Sequence, residues 1–523
     1  MKMMSGSLAA ILGGASSVIL SAQTPPPHRE CAGLTSLTLP DVKIRDAVAV
    51  PAATSGEIRA AHCRVSGVIG TEIRFSLLLP DTWNGKFMMG GGAGFVGMID
   101  NQAKTSVNDG YATVGTDTGH QGQSFEASWA LDNLERQVNF GYVAVHRTAE
   151  TAKAILRHYY GRTEEHSYFS GCSNDGRQGL MEAQRFPDDF DGIVVGAPVH
   201  DFVGLAAQFV KDIQAVFPDP RNLSAPMFTP ELLKSVEAQI VEKCDAVDGL
   251  KDGLLEDPRR CTVDVAGLAG LSDGQRAALR KIYAETIGKG HATYPARPVG
   301  GEGEVDSWPA WITGGSRHAT PQAPSLGFAL ATQLFKFLVF NDPSWDYSGY
   351  DVANAHKDAR LAATFINATN PNLDAFKAKG RKLIVWHGWS DAAITPLGSI
   401  EYYEQVGKRD DDVRDYFRLF LLPGVLHCSG GRGARYGGGA PAAQLRRRKN
   451  QSMKLSATAK ETVADVQVEI SQEEAAQAGS GAPGSRARQG TRPEQPDVRQ
   501  RRDQRDGDWD ICSGNVCGSA TAA

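Results

Sequence analysis

The chain has 523 residues, of which 55 are lysine or arginine, 60 are aspartate or glutamate, and 41% are hydrophobic. That length is enough for a large hydrophobic core and for more than one domain. The near balance of charge gives no basic field for nucleic acid. No stretch of about 18 consecutive apolar residues favours a membrane-spanning helix. We therefore expect neither a nucleic-acid partner nor a membrane partner.

The N-terminal segment has the layout of a secretory signal peptide. Lys2 precedes an apolar stretch at 8–20, and two small residues follow at 21–22. Such a segment predicts cleavage on export, with 1–22 as the leader, although an uncleaved extension is the alternative. The eight cysteines are an even number, which fits disulfides in a secreted or periplasmic protein.

Strand-like and helix-like segments alternate through the first part of the chain and again near its end. Strands are predicted at 73–79, 86–89, 111–115, 167–170, 192–196, 382–386 and 417–422, and helices at 142–160, 178–186 and 397–406. This alternation predicts an α/β fold, with a mainly parallel sheet and helices on both faces.

The domain organisation follows from where that alternation is interrupted. Residues 30–200 and 376–431 are predicted to form one sheet domain. The insert at 201–375 lacks the alternation and is interpreted as a lid domain. Residues 432–523 are largely polar and are predicted to be a disordered tail, because such a composition buries too little apolar area to offset the entropy of ordering.

A candidate nucleophile lies between a predicted strand and a predicted helix. In Gly171-Cys172-Ser173-Asn174-Asp175-Gly176, Ser173 occupies the position of the serine in the G-x-S-x-G elbow, but Asp175 stands where the second glycine belongs. An ordinary Gly-Ser-Asn turn is the alternative. In this arrangement an acid and then a histidine follow later strands. Asp391 and His427 do so, although Asp391 as a helix N-cap and His427 as a loop histidine are the alternatives.

Two cysteines adjoin this candidate triad. A disulfide between Cys172 and Cys428 would bring Ser173 and His427 together, the nucleophile and general base of acyl transfer. Spacing alone leaves the other connectivities open, and the simplest pairing joins sequence neighbours. That pairing gives Cys31 with Cys63, Cys244 with Cys261, and Cys512 with Cys517.

The oxyanion of acyl transfer needs backbone N–H donors. The N–H of Asn174, directly after the nucleophile, is the first candidate. The second is expected from the Gly-rich loop at 91–97, near Gly94. A phosphate cradle is disfavoured, because G-x-x-x-x-G-K-[ST] is absent.

An acidic loop at 244–254 is the second candidate site. It carries three aspartates and two glycines, a composition that can wrap a hard cation such as Ca²⁺. A solvated Asp-Gly turn is the alternative, and the spacing is not that of an EF-hand. The predicted ligands are the carboxylates and two backbone carbonyls: Asp245, Asp248, Asp252, Leu250 and Leu254.

These residues together resemble the tannase/feruloyl esterase family of α/β-hydrolases, which includes mono(hydroxyethyl) terephthalate hydrolase. The similarity runs from about Cys31 to Gly431. It rests on Cys172-Ser173, Asp391, His427-Cys428, the acidic loop and the segments 176–179, 190–193, 341–345 and 387–391.

The resemblance implies a secreted serine carboxylesterase for small aromatic esters, such as feruloyl or galloyl esters, with a structural Ca²⁺. It implies that the lid forms the acyl pocket, with four candidate ring-stacking residues for which packing within the lid is the alternative: Phe335, Phe340, Trp345 and Tyr347. Asp175 departs from the family's glycine, which keeps a non-catalytic, ligand-binding relative as the competing hypothesis. A serine peptidase using the same triad is a third.

Overall fold

The computed structural model of the protein describes residues 28–433, apart from 225, 290, 291 and 321, together with 452–453 and 468–469. The predicted leader and most of the predicted tail, including Cys512 and Cys517, lie outside the described residues. Within that tail, Ser452–Met453 pairs antiparallel with Val468–Glu469.

A single mixed sheet of nine strands organises the molecule. In chain order its strands are β1 Val42–Val50, β2 His62–Ile69, β3 Ile73–Pro80, β4 Lys86–Gly90, β5 Ala112–Thr116, β6 His166–Cys172, β7 Gly192–Gly196, β10 Lys382–Gly388 and β11 Phe417–Leu422. Two further strands, β8 Thr286–Ile287 and β9 Ala292–Tyr294, form a separate pair in the insert.

The spatial order in the large sheet is β1-β2-β3-β5-β4-β6-β7-β10-β11. Pairings from β1 to β5 are antiparallel, and those from β5 through β11 are parallel. The predicted parallel sheet is thus confirmed, and β1 and β2 are strands that the sequence reading missed. Because β6, β10 and β11 run parallel, the residues that follow them emerge at one edge of the sheet.

Helices cover the sheet and build the insert. They are α1 Leu134–Val138, α2 Ala144–Tyr160, α3 Asn174–Arg185, α4 Phe202–Val216, α5 Pro230–Cys244, α6 Asp273–Tyr283, α7 Trp308–Trp311, α8 Leu326–Leu334, α9 Ala355–Asp358, α10 Arg360–Ile366, α11 Asp374–Ala378 and α12 Pro396–Arg409. Two π-helical segments, Asn139–Val143 and Phe335–Val339, continue α1 into α2 and extend α8.

The helices bury apolar faces against the sheet. Along α2, buried side chains recur three to four residues apart at Val145, Ala149, Ala152 and Leu156, which is the stripe expected of an amphipathic helix. The insert packs around an apolar core to which α4 contributes most of its length, and residues of the sheet domain such as Phe95, Trp129 and Phe140 belong to the same core. The insert is therefore a packed layer of helices over the sheet domain.

The described residues continue just past the predicted boundary at 431. Arg432 forms ion pairs with Glu304 at 3.0 Å and Glu237 at 3.3 Å, and both glutamates belong to the insert. The start of the predicted tail is therefore attached to the lid through these charges.

Candidate active site

Ser173 lies on a sharp turn between β6 and α3. Its backbone has φ 75° and ψ −124°, a conformation that is strained for a residue with a side chain and persists only where the surroundings enforce it. Small neighbours make room for the turn: a Cβ at Gly171 would lie 2.4 Å from the Asp175 Cβ, and one at Gly176 would lie 2.7 Å from the Gly196 carbonyl oxygen. The turn presents the serine hydroxyl beyond the end of the sheet.

The structure brings Ser173, His427 and Asp391 together in one chain of hydrogen bonds. His427 Nε2 lies 2.9 Å from Ser173 Oγ, and His427 Nδ1 lies 2.8 Å from Asp391 Oδ2. With the proton on Nδ1 donated to the carboxylate, Nε2 is left to accept from the hydroxyl. The three residues follow β6, β10 and β11, so the parallel register of the sheet accounts for their meeting.

Asp391 is buried but well supplied with donors. Its Oδ1 accepts the backbone N–H groups of Ala393 at 2.8 Å and Ile394 at 2.9 Å. Burial by itself would raise the pKa of this carboxyl, but the charge of His427 and the hydrogen bonds from His387 and His427 outweigh burial and lower the pKa below its usual value. The acid of the triad is therefore held ionised.

His387 is a member of the site that sequence reasoning missed. It is fully buried, and its Nε2 lies 3.2 Å from Asp391 Oδ2 and 3.0 Å from the Ile394 carbonyl. Because the carboxylate and the carbonyl can only accept, the proton is assigned to Nε2, and Nδ1 accepts from Ser399 Oγ at 2.8 Å. The ring thus orients the acid rather than the nucleophile. Its place at the end of a strand, four residues before Asp391, was the available signal.

A disulfide joins Cys172 to Cys428, with a Cα–Cα distance of 5.8 Å across 256 positions of sequence. These cysteines adjoin Ser173 and His427, so the link ties the elbow to the loop that carries the histidine. Two further disulfides, Cys31–Cys63 and Cys244–Cys261, match the neighbour pairing considered from the sequence.

The Gly-rich loop after β4 lies against the elbow. Asn174 Nδ2 donates to the Gly92 carbonyl at 2.8 Å, and the Gly92 N–H donates to Gln178 Oε1 at 3.2 Å. Gly94 has φ 55°, and a Cβ there would lie 2.3 Å from the Ser124 carbonyl oxygen. The loop and the elbow are therefore neighbours, while the oxyanion donors Asn174 and Gly94 stay a prediction.

The buried Arg177 holds the side chain of Asn174, the residue that follows the nucleophile. The Arg177 guanidinium donates to Asn174 Oδ1 at 2.8 Å, to the Gly141 carbonyl at 2.8 Å and to the Phe140 carbonyl at 3.2 Å. Those two carbonyls belong to the π-helical segment, where the usual helical hydrogen bonds are interrupted. Burial lowers the pKa of Arg177 to about 9. The π-helical segment thus holds Asn174, and Asn174 in turn holds the Gly-rich loop.

The lid aromatics predicted to stack on substrate pack mainly on one another. Phe335 is fully buried and stacks on Trp345 with ring centroids 5.0 Å apart, and Phe340 lies 6.0 Å from Phe335. Tyr347 is buried and donates its hydroxyl to the Phe217 carbonyl at 2.7 Å. For Phe335 and Tyr347 the structure therefore supports the alternative, packing within the lid.

A different lid residue contacts the triad. The Trp311 ring meets the His427 ring edge-on, with centroids 4.9 Å apart and planes 75° apart. Trp311 ends the short helix α7 and is only partly buried. Sequence reasoning did not single it out, because nothing in the local pattern of α7 points toward a histidine more than a hundred residues away.

The acidic loop turns back on itself between Cys244 and Cys261. Asp245 Oδ1 accepts the backbone N–H groups of Asp252 at 3.2 Å and Gly253 at 2.9 Å, and Asp248 Oδ1 accepts that of Leu250 at 2.8 Å. Each carboxylate keeps a second oxygen, and carboxylates with backbone carbonyls are the donor set that Ca²⁺ prefers. The ligand atoms that this loop offers are therefore of the type that binds Ca²⁺.

The loop also lies close to the catalytic loops. A Cβ at Gly424 would lie 2.6 Å from Leu254 Cδ2, and one at Gly300 would lie 3.4 Å from Leu255 Cδ1 and 3.6 Å from Ser390 Oγ. Ser390 precedes the triad acid, and Gly424 lies three residues before His427. The acidic loop therefore abuts the segments that carry two triad residues.

Another acidic cluster lies between α2 and α3. The ligand atoms of His146, Glu182 and Asp189 all lie within 4.8 Å of one another, with His146 Nδ1 2.6 Å from Asp189 Oδ2. Burial and the neighbouring Asp189 raise the pKa of Glu182 well above its usual value. A protonated Glu182 beside the Asp189 carboxylate accounts for these contacts without a metal.

Among the helices described, none is both long and apolar enough to cross a membrane.

Comparison with known proteins gives a consistent result. The family model for tannase and feruloyl esterase matches residues 58–437. An uncharacterised esterase of Xanthomonas campestris is 32% identical over 454 residues, covering 77% of each chain, and mono(2-hydroxyethyl) terephthalate hydrolase of Piscinibacter sakaiensis is 30% identical over 466, covering 74% of this chain and 76% of its own length. The crystal structure of feruloyl esterase B from Aspergillus oryzae aligns with TM-score 0.70 and 25% identity, over 81% of this chain and 88% of that one.

The family match extends over most of the described residues, including the insert, and the fold of the solved relative agrees with the sheet described above. The expected resemblance is thereby confirmed. The chain belongs to the tannase and feruloyl esterase family of α/β-hydrolases and is a carboxylic ester hydrolase.

Proposed function

We propose that this protein is a secreted serine esterase that hydrolyses esters of phenolic acids, such as feruloyl or galloyl esters, through an acyl-enzyme. The observation that carries the proposal is the hydrogen-bonded chain from Ser173 through His427 to Asp391, at 2.9 and 2.8 Å. That geometry is the one required to deprotonate a serine hydroxyl as it attacks a carbonyl.

In the proposed reaction His427 Nε2 takes the proton of Ser173 Oγ while the oxygen attacks the ester carbonyl. Asp391 stabilises the resulting imidazolium and keeps its orientation. The imidazolium then protonates the leaving alcohol, which departs and leaves the acid esterified to Ser173. Water attacks this acyl-enzyme with His427 again as base, and the acid is released. Backbone N–H groups, with Asn174 and the Gly-rich loop as candidates, would hold the oxyanion in both steps.

The substrate class rests on the relatives and on the surroundings of His427. Feruloyl esterases B from Aspergillus and a terephthalate monoester hydrolase are among the related proteins, and their names share an aromatic acyl group. The partly exposed Trp311 ring beside His427 offers an apolar face to such a group. Phe340 and Trp345 stay secondary candidates, because part of their surface is exposed.

Export and calcium belong to the same proposal. The three disulfides are typical of an oxidising compartment. The loop ligands Asp245, Asp248, Asp252, Leu250 and Leu254 would hold a Ca²⁺ that braces the lid. The chemistry assigned to Ser173, His427 and Asp391 needs no contribution from this ion.

The decisive experiment measures release of ferulic or gallic acid from methyl ferulate and methyl gallate. We expect turnover by the intact protein and a loss of at least about 10³-fold in Ser173→Ala. Ser429→Ala, close to His427 but outside the triad, is the matched control and should keep most of the activity. Folded protein that releases acid from no aromatic ester would reject the proposal.

A non-catalytic, ligand-binding protein is the second candidate, because a carboxyl group at Asp175 is buried beside the elbow. It predicts that methyl ferulate binds the folded protein without being hydrolysed. Calorimetric binding with no acid released over many hours would favour it, and turnover would exclude it.

A further inference from the structure

Asp175 is buried in the first turn of α3, two residues after the nucleophile. Its side chain is completely shielded from solvent. A Cβ at Gly91 would lie 2.3 Å from the Asp175 Cβ, and one at Gly171 would lie 2.4 Å from it. The residue is therefore enclosed between the Gly-rich loop on one side and the end of β6 on the other, at the junction from which the oxyanion donors are expected.

Both carboxyl oxygens of Asp175 lack a hydrogen-bond partner among the described residues. An ionised carboxylate in such a place is very unfavourable, because nothing replaces its hydration. Arg177 does not fill that role: residues two apart on a helix do not face each other, and its guanidinium is bonded to Asn174 Oδ1 and to the carbonyls of Phe140 and Gly141.

The titratable or charged groups that bear on Asp175 are Asp100, from the loop after β4, and Arg177, from its own helix. Gly91 and Gly171 present only backbone, and Gln178 presents a neutral amide. Burial and the negative charge of Asp100 raise the pKa of Asp175 well above its usual value. The charge of Arg177 and the backbone N–H groups of Cys172 and Asp175, which lie near the carboxyl without forming a hydrogen bond of normal geometry, counteract this only in part. These influences agree with the geometry in favouring the protonated form.

We propose that Asp175 works as a neutral carboxylic acid beneath the Gly-rich loop and that its ionisation slows acyl transfer. This inference rests on the proposed esterase function. Loss of the Asp175 proton to solvent would place a negative charge beside the developing oxyanion, in surroundings that screen charge poorly. Asp175 lies against the loop that is expected to supply an oxyanion donor and takes no part in bond making, so it is a positioning residue.

The test compares pH profiles of kcat/KM for methyl ferulate in the wild type and in Asp175→Asn, which keeps the shape and cannot ionise. We expect a wild-type alkaline limb that falls about tenfold per pH unit once Asp175 ionises. The Asn variant should lack that limb, so its ratio of kcat/KM at high pH to that at neutral pH should exceed the wild-type ratio by at least about tenfold.

Glu182→Gln is the matched control, because Glu182 is also a buried acid of α3 with a raised pKa, and two helical turns separate it from Asp175. Its profile should keep the wild-type limb. Superimposable profiles for the wild type and Asp175→Asn would overturn the proposal, as would loss of the limb in Glu182→Gln as well.

A spectroscopic measurement separates this inference from the proposed function. The infrared difference spectrum between the wild type and Asp175→Asn at neutral pH should contain the C=O stretch of one protonated carboxyl. That band should be lost as the pH is raised through the range of the kinetic limb. A carboxylate band in its place refutes the inference even if the esterase is active. A protein that shows the protonated band but has no esterase activity would instead contradict the proposed function and leave the protonation of Asp175 supported.

Discussion

The two disulfide-braced regions around Cys172–Cys428 and Cys244–Cys261 differ in how far apart their parts lie along the chain. The first disulfide spans 256 positions and joins the last residue of β6 to the loop that follows β11. The second spans 17 positions and closes one acidic loop whose turns are made by local side-chain to backbone hydrogen bonds. The triad is thus a product of the whole sheet, whereas the acidic loop is nearly a local structure.

This difference indicates that substitutions in the two regions should have different effects on activity and on stability. A change in the triad should abolish chemistry while the fold persists, because the sheet supplies the frame. A change in the acidic loop should weaken the lid, and through Leu254 and Leu255 it should reach the catalytic loops only indirectly. The following predictions are ordered from the largest expected effect to the smallest.

Asp391→Asn should produce the largest loss of activity. An amide in place of the carboxylate favours the wrong tautomer of His427 and cannot stabilise its imidazolium, so kcat should fall by about 10⁴-fold. Steady-state kinetics on methyl ferulate measures this. Asp264→Asn, an exposed capping residue of the lid, is the control and should stay within about twofold of the wild type. Near-normal kcat in Asp391→Asn would remove Asp391 from the triad.

Removing the long-range disulfide should cost more stability than removing the local one. By chain entropy alone, a loop of 256 residues corresponds to about 5.5 kcal/mol and one of 17 residues to about 3 kcal/mol. Urea unfolding of the double variants Cys172→Ala/Cys428→Ala and Cys244→Ala/Cys261→Ala measures the difference in the free energy of unfolding.

The same two variants should also separate in activity, because only the first loosens the link between Ser173 and His427. We expect kcat/KM to fall strongly in Cys172→Ala/Cys428→Ala and to change little in Cys244→Ala/Cys261→Ala. Equal activity in both would mean that packing alone positions the dyad.

Calcium should raise thermal stability through the acidic loop. At a concentration of about 100 times its Kd, an ion bound only by the folded state adds about 2.7 kcal/mol to the free energy of unfolding. Differential scanning fluorimetry with and without chelator should show this shift in the wild type and not in Asp248→Asn/Asp252→Asn. Asp264→Asn again serves as control. An unchanged melting temperature on adding Ca²⁺ to chelated wild type would argue against the site.

Mild acid should lower the free energy of unfolding through the buried His120. This ring is fully buried, lies 2.9 Å from the Phe95 carbonyl and stacks on Trp129. Burial lowers its pKa from 6.5 to about 4. The unfolded chain therefore binds a proton between these values that the folded chain does not, so stability falls as pH drops through this window, by about 2 kcal/mol at pH 5.

Unfolding at pH 7 and pH 5 measures this effect. His120→Gln should lower stability at pH 7 yet reduce the difference between the two pH values, whereas the exposed His318→Gln should leave that difference unchanged. If His120→Gln shows the wild-type difference, another group is responsible for the acid sensitivity.

Much of the sheet and of the triad could be predicted from the sequence. The segments 192–196 and 417–422 coincide with β7 and β11, because largely apolar runs of strand length bounded by polar or turn-forming residues are typical of strands covered by helices. β1 and β2 were missed, since β1 is exposed over much of its length and carries charged residues, so it lacks the buried strand's pattern. Ser173, Asp391 and His427 could be predicted to meet because each follows a strand in the required order, and the hydrogen bonds between them agree with that expectation; their catalytic roles stay a prediction.

The roles of single side chains were harder to predict. The residues Phe335 and Tyr347 have the right chemistry for a substrate pocket, but the structure buries them within the lid. Trp311 and His387 contact the triad, and no local periodicity distinguishes them from other buried or half-buried rings. Residue type indicates what a side chain can do, whereas contact depends on which distant segments pack beside it.

The order of hydrophobic and turn-forming residues along this chain sufficed to predict most strands of the sheet, the elbow and three candidate reacting groups, because these depend on local backbone preferences and on strand direction. The joining of Ser173 to His427 at 2.9 Å, the support of Asp391 by His387, and the enclosure of Asp175 beneath the Gly-rich loop arose only on folding. Each requires segments far apart in the chain to come within a hydrogen bond or a van der Waals contact, and only packing of the complete sheet and lid brings them there.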